Sequence, residues 1–185
     1  MENKILIIGK NSFIGRNLYN ISKKKRLTKI ISFYQFMKID FNKLSKFNFI
    51  INCASNKSYV NKKYQEINDF DLRIAKKIRH LVTIFTFIST RKVYKRGYNI
   101  SEKSLTGPID NYSKNKLITE NKLKKLLNKK LLILRLSNVI GLRNNNTNRL
   151  HNTFIDNFFM NIKKGIVFKV GVEFKDFLGI KQLSR

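Results

Sequence analysis

Apolar residues along the chain gather into short runs separated by longer amphipathic stretches. Residues 4–8 form one such run, stopped by Gly9, as a parallel strand buried on both faces would be. A helical pattern follows over about 14–24; residues 29–33 read as a second strand, 36–39 as a short third and 49–53 as a fourth. Tyr64, Ile67, Phe70, Ile74 and Ile78 recur every three or four positions, which predicts one amphipathic helix over 61–79. Residues 82–88 are β-branched and aromatic, another strand, and 97–109 form a loop with the only proline, Pro108, beside Gly107. A helix over 111–128 with Leu123, Leu126 and Leu127 on its buried side, then a strand over 131–136, complete the alternation. Strands that are apolar throughout and alternate with helices predict an α/β fold, a doubly wound parallel sheet of the Rossmann-like kind.

Past Gly141 the pattern weakens: a polar loop over 144–148, a helix over 154–162 and a weak strand over 167–174. The expected division is a dinucleotide-binding domain over 1–143 and a small, incomplete lobe over 144–185.

A chain of 185 residues with 42% hydrophobic positions suits a globular domain with a sizeable core. No apolar run is long enough to span a bilayer, and the first residues lack the long apolar stretch of a signal peptide. Cys53, the single cysteine, excludes an internal disulfide and fits a reducing cytoplasm, where the protein is expected. With two histidines it makes no metal-ligand spacing, so no metal is expected. The net charge of +28 admits a nucleic-acid or anionic-membrane partner. Against that, the basic residues are scattered in pairs such as Lys62-Lys63, Lys76-Lys77 and Lys163-Lys164, and no base-stacking signature accompanies them. Lys, Asn, Ile and Phe are abundant together, as in an A/T-rich coding sequence. A solvated basic surface, without a specific nucleic-acid partner, is the expectation.

Three constellations carry chemistry. Gly9-Lys10-Asn11-Ser12-Phe13-Ile14-Gly15 lies between the first strand and the first helix, where Gly9 permits a sharp exit and Gly15 close helix–sheet packing. The helix N-terminus then offers N–H groups and a positive dipole end to a pyrophosphate. Tyr112 and Lys116 stand four residues apart on one helix face. A phenol ionises near ~10 in water, and a neighbouring ammonium favours the phenolate, making it a usable acid or base at neutral pH. Thr90 ends a predicted buried strand, where its hydroxyl points into a ligand crevice or caps the local backbone. Tyr112 and Lys116 alone are equally an ordinary helix face.

In this order, Gly9…Gly15, Asn52-Cys53-Ala54-Ser55, Thr90 with Val93-Tyr94, Tyr112 with Lys116, and Arg135-Leu136-Ser137-Asn138-Val139-Ile140-Gly141 resemble the extended short-chain dehydrogenase/reductase family. Within it the chain resembles the NAD-dependent epimerase/dehydratase and sugar-nucleotide reductase branches. The resemblance runs from about residue 4 to 178. It implies NAD or NADP as cofactor and a nucleotide-linked sugar as substrate. Gly9, Ser12, Phe13, Ile14 and Gly15 match the pyrophosphate turn, Asp40 and Phe41 the adenine contacts, and Cys53, Ala54 and Ser55 a strand end lining the cofactor. Asn68 matches a supporting asparagine, Asn138 a substrate-phosphate contact, and Thr90, Tyr112 and Lys116 the catalytic triad. Ser12 and Lys95 stand where the family usually has glycine. Arg91 and Lys92 replace the Asp-Glu pair of 4,6-dehydratases, so redox at one sugar carbon is expected rather than elimination. Ser32, Phe33 and Tyr34, at the expected end of the second strand, provide no acid for the ribose hydroxyls, which leaves NADP open. Members usually extend further, so a dinucleotide-binding protein with little turnover is the alternative. A homodimer through the helices matching 61–79 and 111–128 is a further implication.

Overall fold

The computed structural model describes residues 3–24, 27–140, 164 and 176–184. Five strands form one parallel sheet: β1 (Ile5–Ile8), β2 (Thr28–Ile31), β3 (Phe49–Asn52), β4 (Ile84–Thr90) and β5 (Leu131–Leu136), in the order β2-β1-β3-β4-β5. All four side chains of β1 are buried because both sheet faces are covered. Ile5 and Ile7 point to one face, packing with Leu18 of helix α1 (Phe13–Ser22). Leu6 and Ile8 point to the other face, whose cluster includes Ile50, Phe85 and Phe87, and residues of two later helices. Those are α5 (Phe70–Ile78), with Leu72, Ile74 and Ile78, and α6 (Asn111–Leu127), with Leu123 and Leu127. The sheet is doubly wound, and its order reverses about β1, which places a crevice at the carboxyl ends of β1 and β3.

Two elements differ from the pattern-based expectation. The third strand expected over 36–39 is absent; helix α2 (Phe33–Met37) occupies that stretch. Ser32 accepts from the Gln35 N–H at 3.2 Å, and the Gln35 side chain accepts from the Ser32 N–H at 2.9 Å. This reciprocal cap starts a helix that buries Phe33 and Phe36 three residues apart. Helix α3 (Phe41–Leu44) follows it. In place of the single helix expected over 61–79, residues 56–79 hold α4 (Lys57–Asn61), a 3-10 turn (Glu66–Asn68) and α5. Asn56 caps α4 by accepting from the Ser58 N–H at 2.7 Å, and Asp69 caps α5 by accepting from Leu72 N–H at 2.9 Å. Each side chain satisfies a helix-start donor, so the stretch holds two starts.

Beyond β5, strands β6 (Asn138–Ile140) and β7 (Phe177–Gly179) pair in parallel as a separate two-stranded sheet. Leu183, in the 3-10 turn Gln182–Ser184, packs with the cluster of Ile5, Ile7 and Leu18. The helix and strand expected over 154–162 and 167–174 lie outside the described residues. Among the described residues no helix is long and apolar enough to cross a membrane.

Candidate active site

The turn after β1 is closed from two sides. The carbonyl of Ile31, at the end of β2, accepts from Gly9 N–H at 2.7 Å and Lys10 N–H at 3.1 Å, and the Gly9 carbonyl accepts from Ser12 N–H at 2.9 Å. Gly9 has φ +120°, and a Cβ there would stand 2.9 Å from both the Ala54 nitrogen and the Cys53 carbonyl carbon. A Cβ on Gly15 would stand 2.6 Å from the Gly9 carbonyl oxygen and from Ser12 Oγ, and 3.3 Å from Cys53 Cβ. Ser12 is the N-cap of α1; its hydroxyl accepts from Gly15 N–H at 2.9 Å. Phe13 is buried, and Ile14 packs against the cluster of Ile5, Ile7 and Leu18. The result is a helix N-terminus at the carboxyl edge of the sheet, held close against the end of β3 by the lack of side chains at 9 and 15. Residues so placed fit a dinucleotide pyrophosphate.

A second cluster surrounds Lys116. Helix α6 starts on Asp110, whose carboxylate accepts from the Ser113 N–H and hydroxyl, both at 2.7 Å. One turn further in, Lys116 is 5% exposed and donates to the Ile88 carbonyl of β4 at 2.7 Å. Its Nζ lies 4.4 Å from the ring centre of Phe87, 5.6 Å from that of Tyr59 and 5.9 Å from that of Tyr112. The Asp71 carboxylate stands 3.6 Å away, and its other oxygen accepts from the Asn52 side-chain amide at 2.7 Å. Asn52 in turn holds Ala54, accepting from its N–H and donating to its carbonyl, each at 3.0 Å. A continuous chain of contacts therefore links the helix of Tyr112 to the strand end that presses on Gly9. Burial raises the Asp71 carboxyl to about 7; Lys116 opposes the rise and Asp69 adds to it. Burial also raises the Cys53 thiol to about 12, with Asp71 adding and Lys116 opposing.

The framework around these groups is polar and satisfied. Asp69 is fully buried and accepts from Thr119 Oγ1 at 2.6 Å and the Tyr64 hydroxyl at 3.0 Å; Tyr59 and Thr119 share a bond of 2.7 Å. Burial, with the negative charge of Asp69, keeps the Tyr59 and Tyr64 phenols protonated by raising both pKa values. Glu120, also fully buried, accepts from Ser89 Oγ at 2.5 Å and from Arg135 through Nε at 3.0 Å and Nη2 at 2.5 Å. Glu120 raises the Arg135 pKa, and the guanidinium rests 4.6 Å from the Tyr94 ring centre.

The expected site residues separate into two groups. Gly9, Gly15, Cys53 and Ala54 come together at the turn, with Ser55 following half-buried. Tyr112 and Lys116 share a face, and Thr90 lies two residues beyond the Ile88 carbonyl that Lys116 holds. Thr90 Oγ1 accepts from Lys92 N–H at 3.3 Å, so it caps the turn after β4. The others lie apart. Asp40 is exposed and pairs with Lys43 at 3.6 Å, and Phe41 lines a groove with Asn3, Thr83 and Ile84 at the strands' starting edge. The Asn68 amide donates to Gln65 at 2.9 Å. The Asn138 amide donates to the Asp176 carbonyl at 3.0 Å, and the Asp176 carboxylate pairs with Arg91 at 3.2 Å. Pattern reading passed over Asp71, although an acid at 71 interrupts the apolar stripe of Ile67, Ile74 and Ile78. The chain holds 11 acids, so each acid on an apolar face is informative.

Solved structures of nucleotide-sugar enzymes share the fold. The UDP-N-acetylglucosamine 4-epimerase of Methanobrevibacter ruminantium M1 superposes with a TM-score of 0.76 at 18% identity, over 100% of this chain and 71% of that one. The UDP-glucuronic acid 4-epimerase of Bacillus cereus, in complex with UDP-glucuronic acid and NAD, gives 0.73 at 18%, over 96% and 69%. The dTDP-4-dehydrorhamnose reductase of Yersinia enterocolitica gives 0.65 at 20%, over 89% and 61%. No curated protein matches the chain. The model of the NAD dependent epimerase/dehydratase family matches residues 5–182. Since that match begins at the first residue of β1 and reaches the turn that packs on α1, the chain belongs to the NAD dependent epimerase/dehydratase family.

Proposed function

We propose that the protein is an NAD(P)-dependent oxidoreductase or epimerase of nucleotide-linked sugars, with Tyr112 moving the proton as hydride is transferred at a sugar carbon. The observation that carries this reading is the placement of Lys116 Nζ 5.9 Å from the Tyr112 ring centre, held from behind by the Ile88 carbonyl. A nicotinamide dinucleotide, when bound, supplies the hydride donor and acceptor. The backbone of Gly9, Ser12, Phe13, Ile14 and Gly15 holds its pyrophosphate, and Cys53, Ala54 and Ser55 line its path along the sheet edge. The Lys116 ammonium stands beside the ring of Tyr112, where a positive charge favours the phenol's part as proton donor and acceptor. Thr90 orients the reacting oxygen from the end of β4. Arg91 and Lys92 follow Thr90 where 4,6-dehydratases carry an Asp-Glu pair, which favours redox over elimination. The family's description favours NAD.

The test is Tyr112→Phe, checked for folding by circular dichroism and assayed for hydride transfer with a panel of UDP- and dTDP-sugars. The expected loss is about 10²–10⁴-fold, the usual contribution of a positioned acid–base group. Unchanged turnover in a folded variant refutes the role. A dinucleotide-binding protein without turnover is the second reading, favoured by the engagement of Thr90 with Lys92 N–H. Tight NADH binding measured by calorimetry, with no turnover on any nucleotide sugar, would select it. The same reading pairs α5 and α6 across a homodimer. Exposed Lys76, Lys114, Lys124 and Lys125 on these helices predict that light scattering finds more dimer as salt rises.

A further inference from the structure

Three acids are buried among the described residues: Asp69, Asp71 and Glu120. Asp69 is taken up by Thr119, Tyr64 and the Leu72 N–H, and Glu120 by Arg135 and Ser89, so both serve the framework. Asp71 is different. One oxygen accepts from Asn52, while the other faces the Lys116 ammonium at 3.6 Å, beyond hydrogen-bond length but within ion-pair range. We propose that Asp71 is a positioning residue of the active site, the counter-ion through which the charge of Lys116, and with it the acidity of Tyr112, is set. This inference rests on the reading of Tyr112 and Lys116 given above.

One ammonium serves two neighbours. The Tyr112 ring lies 5.9 Å from Lys116 Nζ and the Asp71 carboxylate 3.6 Å from it, with the Phe87 and Tyr59 rings and the Ile88 carbonyl also against the ammonium. Little water reaches the pair, since the Lys116 and Asp71 side chains are 7% and 6% exposed, so each charge is only weakly screened from the other. An ionised Asp71 cancels part of the field that Lys116 exerts on the phenol, and Tyr112 keeps its proton to higher pH. A neutral Asp71 leaves the ammonium unopposed, and the phenol becomes more acidic. The groups facing the carboxyl decide which form prevails. At the end of β3 these are Asn52 and the Cys53 thiol; on α4, the Tyr59 phenol; at the cap of α5, Asp69; and on α6, Lys116. Burial and Asp69 favour the neutral acid, Lys116 and Asn52 the anion, and the balance falls near neutrality. Asp71 is therefore poised to change charge within the ordinary working range.

The experiment is a ¹³C NMR titration of the full chain labelled at tyrosine Cζ and lysine Cε, with the Tyr112 and Lys116 signals assigned from Tyr112→Phe and Lys116→Gln. In Asp71→Asn, which keeps an oxygen for Asn52, the Tyr112 midpoint is expected to fall by about 1 unit. In the unmutated protein the Lys116 Cε signal is expected to step as Asp71 ionises near pH 7. An unmoved Tyr112 midpoint in the folded variant overturns the proposal. So does a Lys116 signal flat from pH 5 to 9 in the unmutated protein, a readout that needs no variant fold. Neither measurement requires turnover. Full activity of Tyr112→Phe would remove the catalytic reading and leave this coupling measurable, whereas failure of the titration leaves the catalytic reading intact.

Discussion

Gly15→Ala tests the tightness of the phosphate turn. The new methyl would stand 2.6 Å from the Gly9 carbonyl oxygen and 2.6 Å from Ser12 Oγ, where an ordinary carbon contact is about 3.5 Å. One obstacle is backbone, held in place by the Ser12 N–H, and the other is the hydroxyl that caps Gly15. Relief therefore demands that the turn open by roughly 1 Å and that the cap weaken. Overpacking of this kind costs about 1–3 kcal/mol and a lost N-cap about 1 kcal/mol more, giving a loss of about 2–4 kcal/mol. Urea unfolding followed by circular dichroism should show a lower midpoint at unchanged slope. Ser12→Ala removes the cap and one of the two obstructions, so the double variant should be less unstable than the two single losses summed, by about 1 kcal/mol. If the turn receives a pyrophosphate, calorimetry should also find NADH binding weakened at least about tenfold, since the N–H groups no longer converge. Native stability in Gly15→Ala, or strict additivity with Ser12→Ala, would refute the crowded-turn argument.

Two further outcomes follow from the buried charges. Glu120→Ala leaves the Arg135 guanidinium and the Ser89 hydroxyl without their partner, and should lower stability by about 3–5 kcal/mol in urea unfolding, while Glu120→Gln should lose less. Asp71 binds its proton more tightly folded than unfolded, so its contribution to stability is complete below its unfolded value of 3.8 and is lost as pH rises through about 7. Asp71→Asn should match the native protein near pH 4 and exceed it in stability by at least about 1 kcal/mol at pH 8, read from parallel urea curves.

The sheet was legible because β1, β3, β4 and β5 are short apolar runs, and a run buried on both faces, as β1 is, has few other uses. The stretch holding Phe33, Phe36, Met37 and Ile39 misled for the same reason, since a short apolar cluster reads as strand or helix alike. Ser32 and Gln35, three residues apart, carried the deciding signal in their mutual cap. The break at Asp69 was hidden because periodicity continues across it from Ile67 to Phe70 and Ile74. At the site, Gly9 with Gly15 and Tyr112 with Lys116 are local spacings, which a sequence displays directly. The meeting of Asp71 with Lys116 is made by packing α5 on α6, and no local pattern encodes it. The hydroxyl of Ser12 was ambiguous for a rotameric reason: whether it faces a ligand or its own helix depends on one torsion, and here it faces Gly15 N–H.

The pairing of β6 with β7 has a bearing on synthesis at the ribosome. The Asn138 amide and the Asp176 carbonyl it grips are 38 positions apart, whereas the five-stranded sheet needs nothing later than Leu136. A domain assembled from its first residues onward can thus close that sheet while β7 is still being polymerised. Until Leu183 emerges, the part of the Ile7 and Leu18 surface that it covers is left facing water, an apolar patch of the kind that makes a nascent chain prone to clump.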